Sequence, residues 1–410
     1  MHKLFGGGSS DSPNNSGKLK HLDIDISTYT YAGVLEKQSR WIGAWRKRYF
    51  VIKDSQFLFC ESNTLPPHRA VDLSTCRFVK ASDNELEFEI GEEGEENYLL
   101  RADAKEKRNE WIGMLLIAII ISKSKRKSSS LFKVQDKNDE IESTCIGSIE
   151  SARSQYGDDH PETLSYISSL ASIYQSQGKY SLAEPLFAIC ADSNMRTLGR
   201  QHVDTLTSIC SLADYFAIDG QYSVAEPLVL WCLDTSLLAF TYEHPTTLNI
   251  KDNLVLLYKQ QGKFDKAENV LQGCLSVRRK LFGLEHSSTI TTMNNLAAVL
   301  KSEYKYDQAE PLYKSCWEIS KKISGEEHPA TLTALSNLGL LYHTLGTFDK
   351  AESLLKECLE TRKRVLGEEH PHTVASMNNL AGCYKIQGGL VEKVIELSHC
   401  ITECICIYLQ

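Results

Sequence analysis

HPTTLNIKDNLVLLYKQQGKFDKAENVLQGCLSVRRKLFGLEH, residues 244–286, decides the fold of more than half of this chain. It begins on His244 and closes on His286, and the same spacing of 42 residues links His160, His202, His244, His286, His328 and His370. A threonine follows three residues after each: Thr163, Thr205, Thr247, Thr289, Thr331 and Thr373. A cysteine follows thirty residues after each: Cys190, Cys232, Cys274, Cys316, Cys358 and Cys400. Gly178, Gly220, Gly262, Gly346 and Gly388 share a further register position, which Tyr304 breaks. An Ala-Glu pair recurs at Ala183, Ala225, Ala267, Ala309 and Ala351. Chance does not hold such a register over six copies, so this is a repeat array.

Each unit reads as two helices. Pro161, Pro245, Pro329 and Pro371 stand at the first helical position, where a missing N–H costs nothing. From Thr247 to Tyr258, Leu248, Ile250, Leu254, Val255 and Leu257 form a broad helical stripe. Gly262 ends that helix, and a second runs from Phe264 to Leu281 with Ala267, Leu271, Cys274 and Leu275 on one face. Neither helix buries its stripe alone, so successive pairs stack into an all-helical superhelix. Residues 141–157 read as a lone second helix that caps the front.

The pattern from NNLAAVLKSEYKYDQAEPLYKSCWEISKKISGEEHPATL resembles the tetratricopeptide repeats of the kinesin light chain family, over roughly residues 141–390. That resemblance implies a concave groove, lined by the first helices, that holds extended segments of client proteins. It also implies that Asn253, Asn295, Asn337 and Asn379 contact a client's backbone. A carboxamide suits this, offering donor and acceptor together. The alternative is that these side chains bond their own helix or a neighbouring repeat. Ser169 and Ser211 depart from the Asn pattern, which puts the first two units in doubt as groove. The heptads by which that family joins its motor are missing from residues 1–150, so the chain is not read as a kinesin subunit.

The front of the chain has a different period. Short strands are expected at Tyr31–Lys37, Trp45–Ile52, Phe57–Glu61, Arg69–Leu73, Leu86–Ile90 and Tyr98–Ala102, followed by a helix over 104–121. A meander with one terminal helix suggests a barrel plugged at one end. The residues GVLEKQ, WRKRYFVIKD, FLFCES and YLLRADAKEKRNEWI are similar to a pleckstrin homology domain. The reading is therefore multidomain: a leader at 1–27, a pleckstrin homology-like β-barrel with a C-terminal helix at 28–122, a polar and basic linker at 123–140, and an all-α tetratricopeptide-repeat solenoid at 141–410.

Charge is unevenly spread within the barrel. Residues 36–53 hold Lys37, Arg40, Arg46, Lys47, Arg48 and Lys53 against Glu36 alone, whereas residues 85–96 hold seven glutamates and no base. The resemblance implies that Lys37, Arg46, Lys47 and Arg48 grip an inositol phosphate. Clustered guanidinium and ammonium groups suit a phosphate cluster, and each base near an anionic leaflet adds about 1 kcal/mol. Attraction to anionic membrane without headgroup selectivity, and a purely protein-binding surface, remain as alternatives. Phe59 occupies a place where the family often has a ligand-gripping tyrosine.

Several classes are set aside on composition. A net charge of −8, with 42% hydrophobic and 24% charged residues, describes an ordinary globular chain and argues against nucleic acid as a partner. No signal peptide or membrane span is read, and the thirteen cysteines are expected as free thiols of a reducing compartment. The register histidines lie one per unit, too dispersed for a zinc shell. No phosphate loop, serine elbow or His-Glu-x-x-His motif appears, so neither catalytic residues nor a cofactor are expected. The resulting expectation is a cytoplasmic, non-enzymatic adaptor with peripheral membrane attachment: the barrel meets phosphoinositide or anionic membrane and the repeats meet protein clients. The alternative is a cytosolic scaffold in which both domains bind proteins.

Overall fold

Tyr31–Gln38 (β1) and Trp45–Lys53 (β2) are each apolar at the end away from their shared hairpin and polar toward it, and they pair antiparallel from Tyr31 opposite Ile52 to Gln38 opposite Trp45. They open a computed structural model that describes residues 31–39, 43–92, 97–127 and 140–386. The leader, Arg40 and the Cys-rich end lie outside those residues. The chain divides into two compact units, residues 1–193 and 194–410.

In the first unit, Gln56–Cys60 (β3), Arg69–Asp72 (β4), Cys76–Ala81 (β5), Glu87–Glu92 (β6) and Tyr98–Arg101 (β7) complete an antiparallel sheet. Its order is β4-β3-β2-β1-β7-β6-β5, so it ends on β4 and β5 instead of closing as the expected barrel. β5 is a strand that sequence reading passes over. A register irregularity between Cys76 and Phe78 interrupts the alternation that would reveal it. Leu35, Phe50, Ile52, Phe57, Phe59, Val71, Phe88 and Leu100 are each at most 1% exposed and form the inner face.

Lys105–Lys127 (α1) covers that core with Trp111, whose ring lies edge-on to Tyr31 at 4.6 Å. Gly33 makes room for it: a Cβ there would sit 3.3 Å from the indole. α1 continues to Lys127, into the stretch expected as linker. Met114 to Ile120 are buried around the whole helix, so the face turned away from the sheet is covered as well. Near its end Lys125 pairs with Asp192 at 3.1 Å.

Glu140–Tyr156 (α2) stands where a front cap is expected. Pro161–Ser176 (α3) and Tyr180–Leu198 (α4) follow as the first helix pair. The second unit continues with Val203–Ile218 (α5), Tyr222–Ala239 (α6), Pro245–Gln260 (α7), Phe264–Phe282 (α8), Ser287–Ser302 (α9), Tyr306–Ser324 (α10), Pro329–Thr344 (α11), Phe348–Leu366 (α12) and Pro371–Ile386 (α13). Odd-numbered helices from α3 are the first of each pair and even-numbered ones the second. Ala225, Ala267, Ala309 and Ala351 are fully buried, because the second helix packs too closely there for a longer side chain. Lys263 reaches Glu226 at 2.7 Å, Lys305 reaches Glu268 at 2.6 Å, and Lys322 reaches Glu285 at 2.6 Å, each joining one pair to the next. Such exposed or partly exposed ion pairs contribute little; apolar burial holds the stack.

Candidate functional site

The inner face of β1 and β2 changes character toward the hairpin that joins them. Leu35 and Phe50 are core, but the next inward positions are Lys37, Arg48 and Arg46. Lys37 stands directly opposite Arg46. Like charges facing each other across a strand pair are destabilising. Neither arginine forms an ion pair among the described residues; Arg48 spends one N–H on the Lys47 carbonyl at 2.9 Å. These cations, with Gln38, Ser39, Phe59 and His68, line an open pocket of about 260 Å³. Phe59 gives it an aromatic floor: the Lys37 ammonium lies 5.3 Å from the Phe59 ring centre and 5.2 Å from that of Tyr98, which packs against Phe59. Phe59 and Tyr98 are each 1% exposed. A mouth with several cations over a rigid apolar floor is suited to a compact polyanion.

The repeat's signature residues serve the fold. Each register histidine caps the first helix of its pair, its Nδ1 accepting the backbone N–H two residues on at 3.2–3.3 Å. Aromatic rings lie flat on three of them, Tyr156 on His160 at 4.6 Å, Phe240 on His244 at 4.3 Å and Phe282 on His286 at 4.7 Å. Thr163, Thr205 and Thr331 donate at 2.8 Å to the carbonyl six residues earlier. The register cysteines of the described residues are buried, and the thiols of Cys190, Cys232, Cys316 and Cys358 donate to a carbonyl of the preceding helix, Cys358 to Leu332 at 3.3 Å. Burial pushes the Cys190 and Cys316 thiols up to about 12 and Cys274 to about 11, so they stay protonated at neutral pH. No cluster of three or more His, Cys, Asp or Glu residues that could hold a metal occurs among the described residues.

Residues 29–119 match the family model described as PH domain. Models described as tetratricopeptide repeat match residues 163–204, 245–316, 294–364 and 342–392. The chain carries a PH domain followed by tetratricopeptide repeats. Among solved structures it is similar to kinesin light chain TPR-like repeats from Podosopora anserina, at 24% identity over 50% of this chain and 98% of that one, with a TM-score of 0.44. It is also similar to BtubC from P. vanneervenii, at 21% identity over 60% of this chain and 92% of that one, TM-score 0.45. The C-terminal PH domain of pleckstrin, solved with an inositol pentakisphosphate, is 27% identical over 22% of this chain and 93% of that one, TM-score 0.21. No curated protein matches the chain.

Within the PH domain, the pocket brings together Lys37, Arg46 and Arg48 but not Lys47. Strand alternation turns Lys47 to the outer face, opposite Glu36, where Glu36 also pairs with Arg101 at 2.7 Å. His68 is a pocket residue that sequence reading missed, because it comes from the β3–β4 connection and belongs to no basic run. Within the repeats, Asn253, Asn295, Asn337 and Asn379 sit half-buried on α7, α9, α11 and α13. Asn337 donates to Asn294 Oδ1 at 3.0 Å and Asn379 to Ser336 Oγ at 3.3 Å, each reaching the first helix of the preceding pair. The corresponding acceptor for Asn295 is Asp252, already held by Arg278. For Asn253 it is Cys210, a weak acceptor. Asn253 and Asn295 form no such bond among the described residues.

Proposed function

We propose that this protein is a non-enzymatic adaptor whose PH domain attaches it to phosphoinositide-bearing membrane while its repeats hold a protein client. The observation that carries this reading is Lys37 opposite Arg46, with Arg48 beside them, in one pocket where neither arginine forms an ion pair among the described residues. A phosphorylated headgroup removes the mutual repulsion and receives bidentate guanidinium donors. Client capture rests on Asn253 and Asn295, the register asparagines whose carboxamides are not committed to a neighbouring repeat. Two modest affinities then combine on one chain as effective concentration. No helix among the described residues is long and apolar enough to cross a membrane, so attachment in this scheme is peripheral.

Flotation of the full chain with phosphoinositide vesicles tests the first half of the proposal. The full chain is needed because cutting after α1 would expose Leu116, Ile117 and Ile120. Headgroup-selective flotation that Arg46→Ala with Arg48→Ala abolishes supports the pocket. Flotation that follows total anionic charge, or none, moves the reading to a scaffold in which both domains bind proteins. For the repeats, Asn295→Ala should weaken recovery of a client without shifting the unfolding midpoint.

A further inference from the structure

His68 stands one residue before β4, and its N–H donates to the Phe59 carbonyl at 2.9 Å, which pins it at the pocket wall. Its surroundings come from every strand of that corner. Arg48 from β2, Lys37 from β1 and Arg69 from β4 act on it as nearby positive charges, Glu61, just after β3, opposes them, and Arg46 lines the same pocket. These cations make a further positive charge unwelcome. Partial burial, then Arg48, holds the imidazole below its ordinary value, with Lys37 and Arg69 acting in the same direction. A phosphomonoester dianion among the same cations reverses the balance, because an opposite charge at close range favours the imidazolium.

We propose that His68 is a further phosphate-binding residue of this pocket, one that becomes charged when a phosphorylated inositol is bound and so makes affinity rise with acidity. The inference rests on the reading of the pocket as a phosphoinositide site. Its sign follows from linkage: a ligand that raises the proton affinity of His68 is bound more tightly once that proton is present. Neutral imidazole offers one N–H donor, whereas imidazolium offers two together with a charge. Phosphate itself takes up a proton near pH 6, which weakens binding on acidification. The signature is therefore the difference between wild type and a variant, and not the wild-type profile alone.

The test uses the full chain and two probes, phosphatidylcholine vesicles carrying phosphatidylinositol bisphosphate and soluble inositol hexakisphosphate, at about pH 7.5 and about pH 5.5. The ratio of wild-type to His68→Asn affinity should rise about fivefold on acidification, one proton being linked through a shift of about one unit. His68→Lys, charged throughout, should bind at pH 7.5 at least as tightly as wild type and show the ligand's pH dependence alone. A fivefold change on vesicles alone supports the proposal with a membrane-borne headgroup; the same change on both probes supports it for the free headgroup too. Parallel profiles for wild type and His68→Asn, with binding that Arg48→Ala abolishes, overturn the role of His68 and leave the pocket standing. No binding of either probe at either pH overturns both.

Discussion

Removing the carboxylate of Asp252 should strand a buried cation. Arg278 on α8 is 5% exposed, and its guanidinium grips Asp252 on α7 through two bonds, one of 3.0 Å, while also donating to the Thr292 hydroxyl on α9. Breaking a fully buried pair costs about 3–5 kcal/mol. Asp252 is 35% exposed, so water can reach the vacated site, and the cost for Asp252→Ala falls to about 2 kcal/mol. The neighbouring pairs show what the site tolerates, because Ser236 and Ser320 occupy the register position of Arg278. In Arg278→Ser the second loss from Asp252→Ala should nearly vanish, giving a coupling energy of about 2 kcal/mol. Urea unfolding followed by helical circular dichroism reads this as a midpoint shift of about 1 M. Repeat arrays can unfold in stages, so hydrogen exchange should place the loss of protection in α7 to α9. A coupling energy below about 0.5 kcal/mol would refute the argument that the pair acts as a unit.

Lys251 should be better as methionine. It is 5% exposed, its ammonium has no hydrogen-bond partner among the described residues and lies 2.9 Å from the Tyr242 ring centre, and Met293 and Met377 fill its register position elsewhere. Lys251→Met is expected to raise stability by about 1–2 kcal/mol in the same unfolding assay; no gain would mean that the ring contact offsets burial. Asp214 supplies a pH dependence. Burial raises its carboxyl to about 6, so the stability it contributes is complete below about pH 4 and is lost as pH rises through about 6. Wild type should lose about 2 kcal/mol relative to Asp214→Asn between pH 4 and pH 7; parallel stability curves would sink the idea. Asn337→Ala should cost about 1 kcal/mol of stability through its lost bond to Asn294, whereas Asn295→Ala should cost almost none. Equal costs would contradict the division of the asparagines into structural and available ones.

The repeat and its helical pairing are legible in the amino-acid order because they rest on local physics. A histidine two residues before an N–H caps it wherever it recurs, and a buried thiol thirty residues on fills the same small space each time. The period also points to structural work for these histidines and cysteines, since a residue present in every unit is answering a demand of every unit. The basic run on β1 and β2 is equally visible, and strand alternation alone separates Lys47 from Arg46 and Arg48. What the order of residues does not carry is which distant groups become partners. His68 joins the pocket because β4 pairs with β3, not because of its neighbours in sequence. Asn295 and Asn337 look alike along the chain, yet one faces an aspartate already taken by Arg278 and the other an open carboxamide. The sheet stays unclosed because β4 and β5 do not pair, an outcome of strand length and twist summed over seven strands. Local preferences act within a turn or two of helix; pairing, desolvation and shared hydrogen bonds depend on what packing brings near, and only the folded chain settles that.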